Sequence, residues 1–254
     1  MGALTVLCSI GTTHPWNIAG IGLDARVAQR MDARHVAVVA GVSAQGGGES
    51  ASAAIPPGLL AAQLRAVREL EPDGYRIGAL ISASNVEVVA DFLTRNGAPV
   101  VCDPVIATSA GVMLAEPGAI QALSGKLFRR CTLVTPNLAE ASRFCGFPVN
   151  DRATMAGAAH TFVQRDGAHA AVVTGGHLTD EASDVLYENG ESIVFEGPRL
   201  SGGMRGTGCA FAAAAAIALA RGLNVRDAIS AARAIVRDAI EHAAEWHGER
   251  VWPW

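Results

Sequence analysis

Short apolar runs and helical stretches take turns along most of this chain. The apolar runs cover residues 3–10, 35–43, 74–79, 99–103, 132–135 and 169–174, each closed by glycine, proline or a polar turn residue. Between them, helical segments are expected at about 24–31, 56–70, 84–96, 117–127, 138–145 and 152–165. Continuous apolar strands joined by helices give a mainly parallel sheet with both faces covered. Half of the 254 residues are apolar and 17% are charged, enough to fill such a core. Asp184–Tyr187 and Ser192–Phe195 read as short strands joined at Asn189-Gly190, a hairpin turn signal. The segment 44–50, rich in glycine, reads as a flexible polar lid or binding loop. The last stretch reads as one helix from about Val225 to Trp246.

In such sheets ligands sit beyond the carboxyl ends of the strands. There the sequence carries Gly11, Gln45, Asp103, Thr135-Pro136-Asn137, Thr174-Gly175-Gly176 and the turn Gly206-Thr207-Gly208-Cys209. That turn opens onto Ala210-Phe211-Ala212-Ala213-Ala214-Ala215-Ala216, a helix that stops at Gly222. Backbone N–H groups at a helix start lack intrahelical partners and suit an anion, usually phosphate. Cys209 on the first turn is expected to have a lowered thiol pKa. The competing reading is a glycine-rich loop ahead of a buried helix, with Cys209 as a small core residue.

The net charge is −4 with basic residues scattered, so neither nucleic-acid nor anionic-membrane binding is expected. No apolar stretch has membrane-spanning character. The start of the sequence has no basic region ahead of its apolar run, so no signal peptide is expected. Cys8, Cys102, Cys131, Cys145 and Cys209 are odd in number and widely spaced, which predicts reduced thiols in a cytoplasmic protein.

In order along the chain stand Ala19-Gly20-Ile21 with Asp24; Val42-Ser43-Ala44-Gln45; Gln63 with Arg76-Ile77-Gly78-Ala79-Leu80; and Val101-Cys102-Asp103-Pro104-Val105. Then come Thr135-Pro136-Asn137-Leu138-Ala139-Glu140, Gly175-Gly176-His177 with Asp184, and Gly206-Thr207-Gly208-Cys209. Together these resemble the hydroxymethylpyrimidine and hydroxymethylpyrimidine-phosphate kinases of thiamine biosynthesis, in the ribokinase-like superfamily. The cysteine of the last motif sets this branch apart from sugar kinases, which usually carry aspartate there. The resemblance implies a three-layer α/β/α ribokinase-like fold with a mainly parallel central sheet, in a single kinase domain over 1–254. It also implies an ATP- and Mg2+-dependent phosphotransferase acting on a small molecule. Gly206, Thr207 and Gly208 would stabilise the transferring phosphoryl group, and Cys209 is the candidate base. Gly11, Ala19, Gly20, Asp24 and Gln45 would bind substrate. Asn137, Glu140, Thr174, Gly176 and Arg205 would bind nucleotide, with Asp103 and Glu140 near the metal, largely through water. Relatives often form homodimers. A pyridoxal-type kinase, or a catalytically weak ligand-binding descendant, are the alternative readings.

The chain departs from the family in places. The first loop, Gly11-Thr12-Thr13-His14-Pro15-Trp16-Asn17-Ile18, is one residue longer and bulkier than usual. Trp16 either stacks on a ligand ring or packs over the pocket. Gly22 replaces the usual Gln, and Thr174 replaces the usual lysine. Lys126, the only lysine, lies in an unrelated segment. Arg205 would supply the missing charge, or is a solvated loop arginine. The C-terminal Trp246, Trp252 and Trp254 dock either on the body or on a second subunit.

Overall fold

The computed structural model describes residues 4–46, 49–108, 111–176 and 182–253. Its elements in chain order begin β1 (Val6–Thr13), α1 (Gly20–Arg30), β2 (Arg34–Gly46), β3 (Glu49–Ala54), α2 (Pro57–Arg68), β4 (Gly74–Ile77), α3 (Ala83–Leu93) and β5 (Val100–Cys102). Next are α4 (Pro117–Ala122), β6 (Leu133–Val134), α5 (Leu138–Cys145), α6 (Arg152–Gln164), β7 (Ala170–Thr174), β8 (Asp184–Glu188) and β9 (Glu191–Phe195). The chain closes with α7 (Thr207–Ala220), α8 (Val225–Glu241), β10 (Ala244–Trp246) and β11 (Glu249–Val251). Among the described residues nine strands form one sheet in the order β3-β2-β1-β4-β5-β6-β7-β8-β9. The strands from β2 to β7 pair in parallel, while β3, β8 and β9 add antiparallel edges.

Side chains alternate between the two faces of this sheet, and each face has its own core. Cys8 and Ile10 of β1 point to the layer of α2, α3, α5 and α6, while Leu7 joins α1, α7 and α8. The strands are buried on both sides, which explains their unbroken hydrophobicity. Helix α7 is the centre of the second layer, with every residue from Ala210 to Leu219 buried. Alanine permits close approach: a Cβ added to Gly74 of β4 would lie 3.1 Å from the Ala216 carbonyl oxygen.

Three expectations need correction. First, β1 continues through Thr13 beside Val42 of β2, where a loop was expected from Thr12. The register shift between Gly11 and Thr12 keeps the pairing in step. Second, the expected lid loop is mostly an antiparallel hairpin: β2 runs on to Gly46 and pairs with β3. Its small residues gave no apolar alternation to read. Third, the last helix ends at Glu241, and β10 and β11 follow as a hairpin. His247 (φ 50°) and Gly248 (φ 80°) form its left-handed turn, which a helix would not tolerate.

Candidate active site

The carboxyl ends of the central strands and the starts of α1, α5 and α7 surround a cavity of about 1040 Å³. Its floor is charged. Arg76, on β4 and only 1% exposed, donates from Nη2 to Asp103 (2.6 Å) and from Nη1 to Asp24 (3.3 Å). One buried cation therefore faces two buried carboxylates. Burial pushes the Asp24 carboxyl up to about 6 against the pull of Arg76, and one of its oxygens lacks a partner among the described residues. Burial raises Asp103 as well, again opposed by Arg76. Burial also works against the charge on Arg76, but Asp24 and Asp103 outweigh it and hold the guanidinium protonated.

Above this floor α7 begins. Gly206 is its N-cap at φ 86°, and no side chain among the described residues caps the helix. A side chain on Gly206 would strike the Ile18 carbonyl and Leu23, so glycine alone fits this turn. A Cβ on Gly208 would lie 3.9 Å from both carboxylate oxygens of Asp103, so the turn and the acid face each other closely. The expectation of a lowered Cys209 pKa is overturned. Burial pushes the thiol up to about 12, with Asp103 and Asp24 acting in the same sense against Arg76. Lost water and two nearby carboxylates outweigh the Arg76 cation and the backbone hydrogen bond from Gly20.

Asn137 and Glu140 stand at the start of α5 as a reciprocal capping box. The Asn137 side chain accepts from the Glu140 amide (2.9 Å), and Glu140 accepts from the Asn137 amide (3.0 Å). Both line the cavity. Burial, with Asp103 adding to it, raises the Glu140 carboxyl well above its ordinary value. Among the described residues no three His, Cys, Asp or Glu side chains are grouped to hold a metal.

The opposite rim is built from loops and hairpins. Arg205 donates to Gln45 (2.9 Å) and to Glu249 on β11 (3.0 Å). His14 lies at the same end, and its Nδ1 accepts from the Trp16 amide (3.1 Å), which leaves the proton on Nε2. Burial and the Arg205 cation lower the His14 pKa, so it stays neutral. Trp16 does not line the cavity; its ring packs edge-on against Trp246, centroids 5.4 Å apart. Trp252 is buried, and Arg26 donates to its carbonyl. The two C-terminal tryptophans thus dock on the body of the chain; Trp254 lies outside the described residues.

The cavity brings together Ala19, Gly20, Gln45, Asp103, Asn137, Glu140, Arg205, Gly206, Thr207, Gly208 and Cys209. Four expected site residues do not line it. Asp24 lies beneath the floor, and Gly11 packs where β1 meets Gly78. Thr174 spends its amide on the Pro136 carbonyl (2.9 Å) and bridges to Asn137, so it braces the α5 turn. Gly176 is exposed, and His177 lies outside the described residues. Sequence reasoning assigned no role to Arg76, His14 or Glu249. An arginine inside a four-residue apolar strand was a readable signal for Arg76, because a buried cation demands partners.

A sequence model described as phosphomethylpyrimidine kinase matches residues 16–253. The chain is 34% identical over 247 residues to the hydroxymethylpyrimidine/phosphomethylpyrimidine kinase of Rhizobium meliloti (strain 1021), covering 94% of this chain and 91% of that protein. It is 35% identical over 230 residues to the thiamine biosynthesis bifunctional protein ThiED of Geobacter sulfurreducens, covering 89% of this chain and 47% of that protein. The structure is similar to Bacillus subtilis pyridoxal kinase solved as an ADP complex. The TM-score is 0.91 at 26% identity, over 98% of this chain and 97% of that one.

Proposed function

The chain belongs to the phosphomethylpyrimidine kinase family, and from that premise we propose that it transfers the ATP γ-phosphoryl group to a hydroxymethylpyrimidine, or to its monophosphate, in thiamine biosynthesis or salvage. It is a phosphotransferase that uses ATP. The observation that carries the site assignment is the uncapped start of α7, facing a large cavity with Asp103 beside Gly208. In-line phosphoryl transfer needs donors aimed at the equatorial oxygens and a group to receive the hydroxyl proton. The amides of Thr207, Gly208 and Cys209 fit the first need; for the second, Asp103 would receive the proton, with the protonated Cys209 thiol beside it. Asn137 and Glu140 would border the nucleotide.

The donor set also suits Mg2+. Glu140 and Asp103 are buried acids whose ionisation is costly, and a divalent cation would reverse that cost. Since no third side-chain ligand of that kind is grouped with them among the described residues, phosphate oxygens and water would complete its shell. The cation would neutralise charge on the phosphates. The reading further takes 1–254 as a single kinase domain, active in the cytoplasm. Homodimer formation, expected by resemblance, belongs to the same proposal. No helix among the described residues is long and apolar enough to cross a membrane.

The likeness to pyridoxal kinase favours a second reading, phosphorylation of a pyridine alcohol. A coupled ADP-release assay over pyrimidine and pyridine alcohols tests both. Turnover of hydroxymethylpyrimidine, lowered about a hundredfold in Cys209→Ala, is expected. Binding without ADP release would overturn the kinase reading and leave a ligand-binding descendant.

A further inference from the structure

Gln45, Arg205 and Glu249 come from three distant parts of the chain and meet at one end of the cavity. Guanidinium has only donors, so the Gln45 atom 2.9 Å from Arg205 Nη2 must be the amide oxygen. Gln45 Nε2 then points elsewhere. Its one described partner is Ser43 Oγ at 3.4 Å, a long contact that uses at most one of its two hydrogens. Arg205 is itself held. Its Nη1 donates to Glu249 at 3.0 Å, and its backbone N–H donates to the Arg250 carbonyl at 3.0 Å. The β10–β11 hairpin thereby fixes both the main chain and the head group of Arg205.

We propose that Arg205 and Glu249 are a positioning pair that locks the Gln45 amide, so that Gln45 offers an N–H donor to an acceptor on the substrate ring edge. The assignment rests on the pyrimidine reading of the cavity and deepens it. A ring nitrogen is such an acceptor; a ring presenting a donor at that edge is disfavoured, because Gln45 cannot turn its amide without breaking the Arg205 bond. This role also competes with the expectation that Arg205 replaces the lysine lost at Thr174. A guanidinium already shared between Gln45 and Glu249 would have to abandon both to reach a nucleotide phosphate.

Steady-state kinetics with hydroxymethylpyrimidine and ATP, together with calorimetric binding of the pyrimidine, separate these possibilities. Arg205→Ala is expected to raise KM for the pyrimidine about tenfold, the scale of a lost charge-assisted hydrogen bond, and to leave KM for ATP within about twofold. Glu249→Gln should shift the same constant by a smaller factor. Arg205→Lys should not rescue, because one ammonium cannot span both partners. The double variant Gln45→Ala/Arg205→Ala should be no worse than Gln45→Ala alone, since both remove one contact. A raised KM for ATP with an unchanged pyrimidine KM would overturn the proposal, as would multiplying effects in the double variant. Wild-type protein that binds the pyrimidine without releasing ADP would end the kinase reading alone, and the binding ratios would still judge the positioning pair. Failure of wild-type protein to bind the pyrimidine would end both.

Discussion

The floor and the rim of the cavity are built on different terms. The floor is carried by strand ends and helix starts: Arg76 on β4, Asp103 after β5, Asn137 and Glu140 at α5, and the Gly206 turn at α7. Its charges are buried, and Arg76 meets both acids within 3.3 Å. The rim is carried by connections and hairpins: His14, Gln45, Arg205 and Glu249. Its ion pair is partly solvated, with the Arg205 and Glu249 side chains 20% and 33% exposed. Rigid elements hold the part proposed to meet a developing charge, where small errors of position are costly. The part proposed to select the ring is assembled from segments that tolerate change.

The largest expected effect comes from removing the cation beneath the floor. Arg76→Met would leave Asp24 and Asp103 buried without their cation. Breaking a buried ion pair in this way costs about 3–5 kcal/mol, read as a fall in urea stability at pH 7. Arg76→Lys should recover part of it, since one ammonium cannot hold both carboxylates in the same geometry. A loss below about 1 kcal/mol would show that the two acids simply take up protons when the cation goes, and the floor would then be no more rigid than the rim.

The floor was largely legible before any coordinates. Asp103 ends a continuous apolar strand, Asn137 and Glu140 have capping-box spacing, and Gly206-Thr207-Gly208 precedes an alanine-rich helix. Such signals are local, because each depends on neighbours within a few residues. The rim was not legible in this way. Gln45 and Arg205 are 160 residues apart, and nothing in either neighbourhood states their contact. The β10–β11 hairpin was hidden because Ala243, Ala244 and Glu245 continue a plausible helix, and only the His247-Gly248 turn breaks it. The pKa of Cys209 was misjudged for a related reason. The helix start is visible in sequence, whereas the carboxylates facing it arrive from β5 and α1.

Cys209 offers a sharper measure of how closed the floor is. Its pKa is raised to about 12, so the thiol stays protonated below that pH and ionises only on approaching it. The thiolate is the reactive form, so alkylation by iodoacetamide should rise about tenfold per pH unit from pH 7 to 10, without levelling off. Mass analysis of the Cys209 peptide separates it from Cys145, the other cysteine that is not fully buried. A plateau near pH 8 would mean that the α7 dipole and Arg76 outweigh the two carboxylates, and Cys209 would then stand as a ready base. A steady climb means that proton removal from the substrate must involve Asp103 as well.

The smallest effect is expected at the outer edge of the rim. Trp246 is 41% exposed, and its ring meets Trp16 edge-on at 5.4 Å and 77°. Aromatic pairs of this geometry contribute about 0.5–1.5 kcal/mol beyond area burial, and exposure places this one at the low end. Trp252 gives the same hairpin a second, buried anchor through the Arg26 bond to its carbonyl, so Trp246→Ala should loosen the hairpin without detaching it. Because Glu249 rides on that hairpin, KM for the pyrimidine should rise about two- to threefold, while thermal stability falls by under about 1 kcal/mol. KM for ATP should not move, since the rings that pack on the tryptophan pair are His14 and His247, on the rim side. Equal shifts in both constants would mean that the hairpin braces the whole cavity, and the division between floor and rim would have to be redrawn.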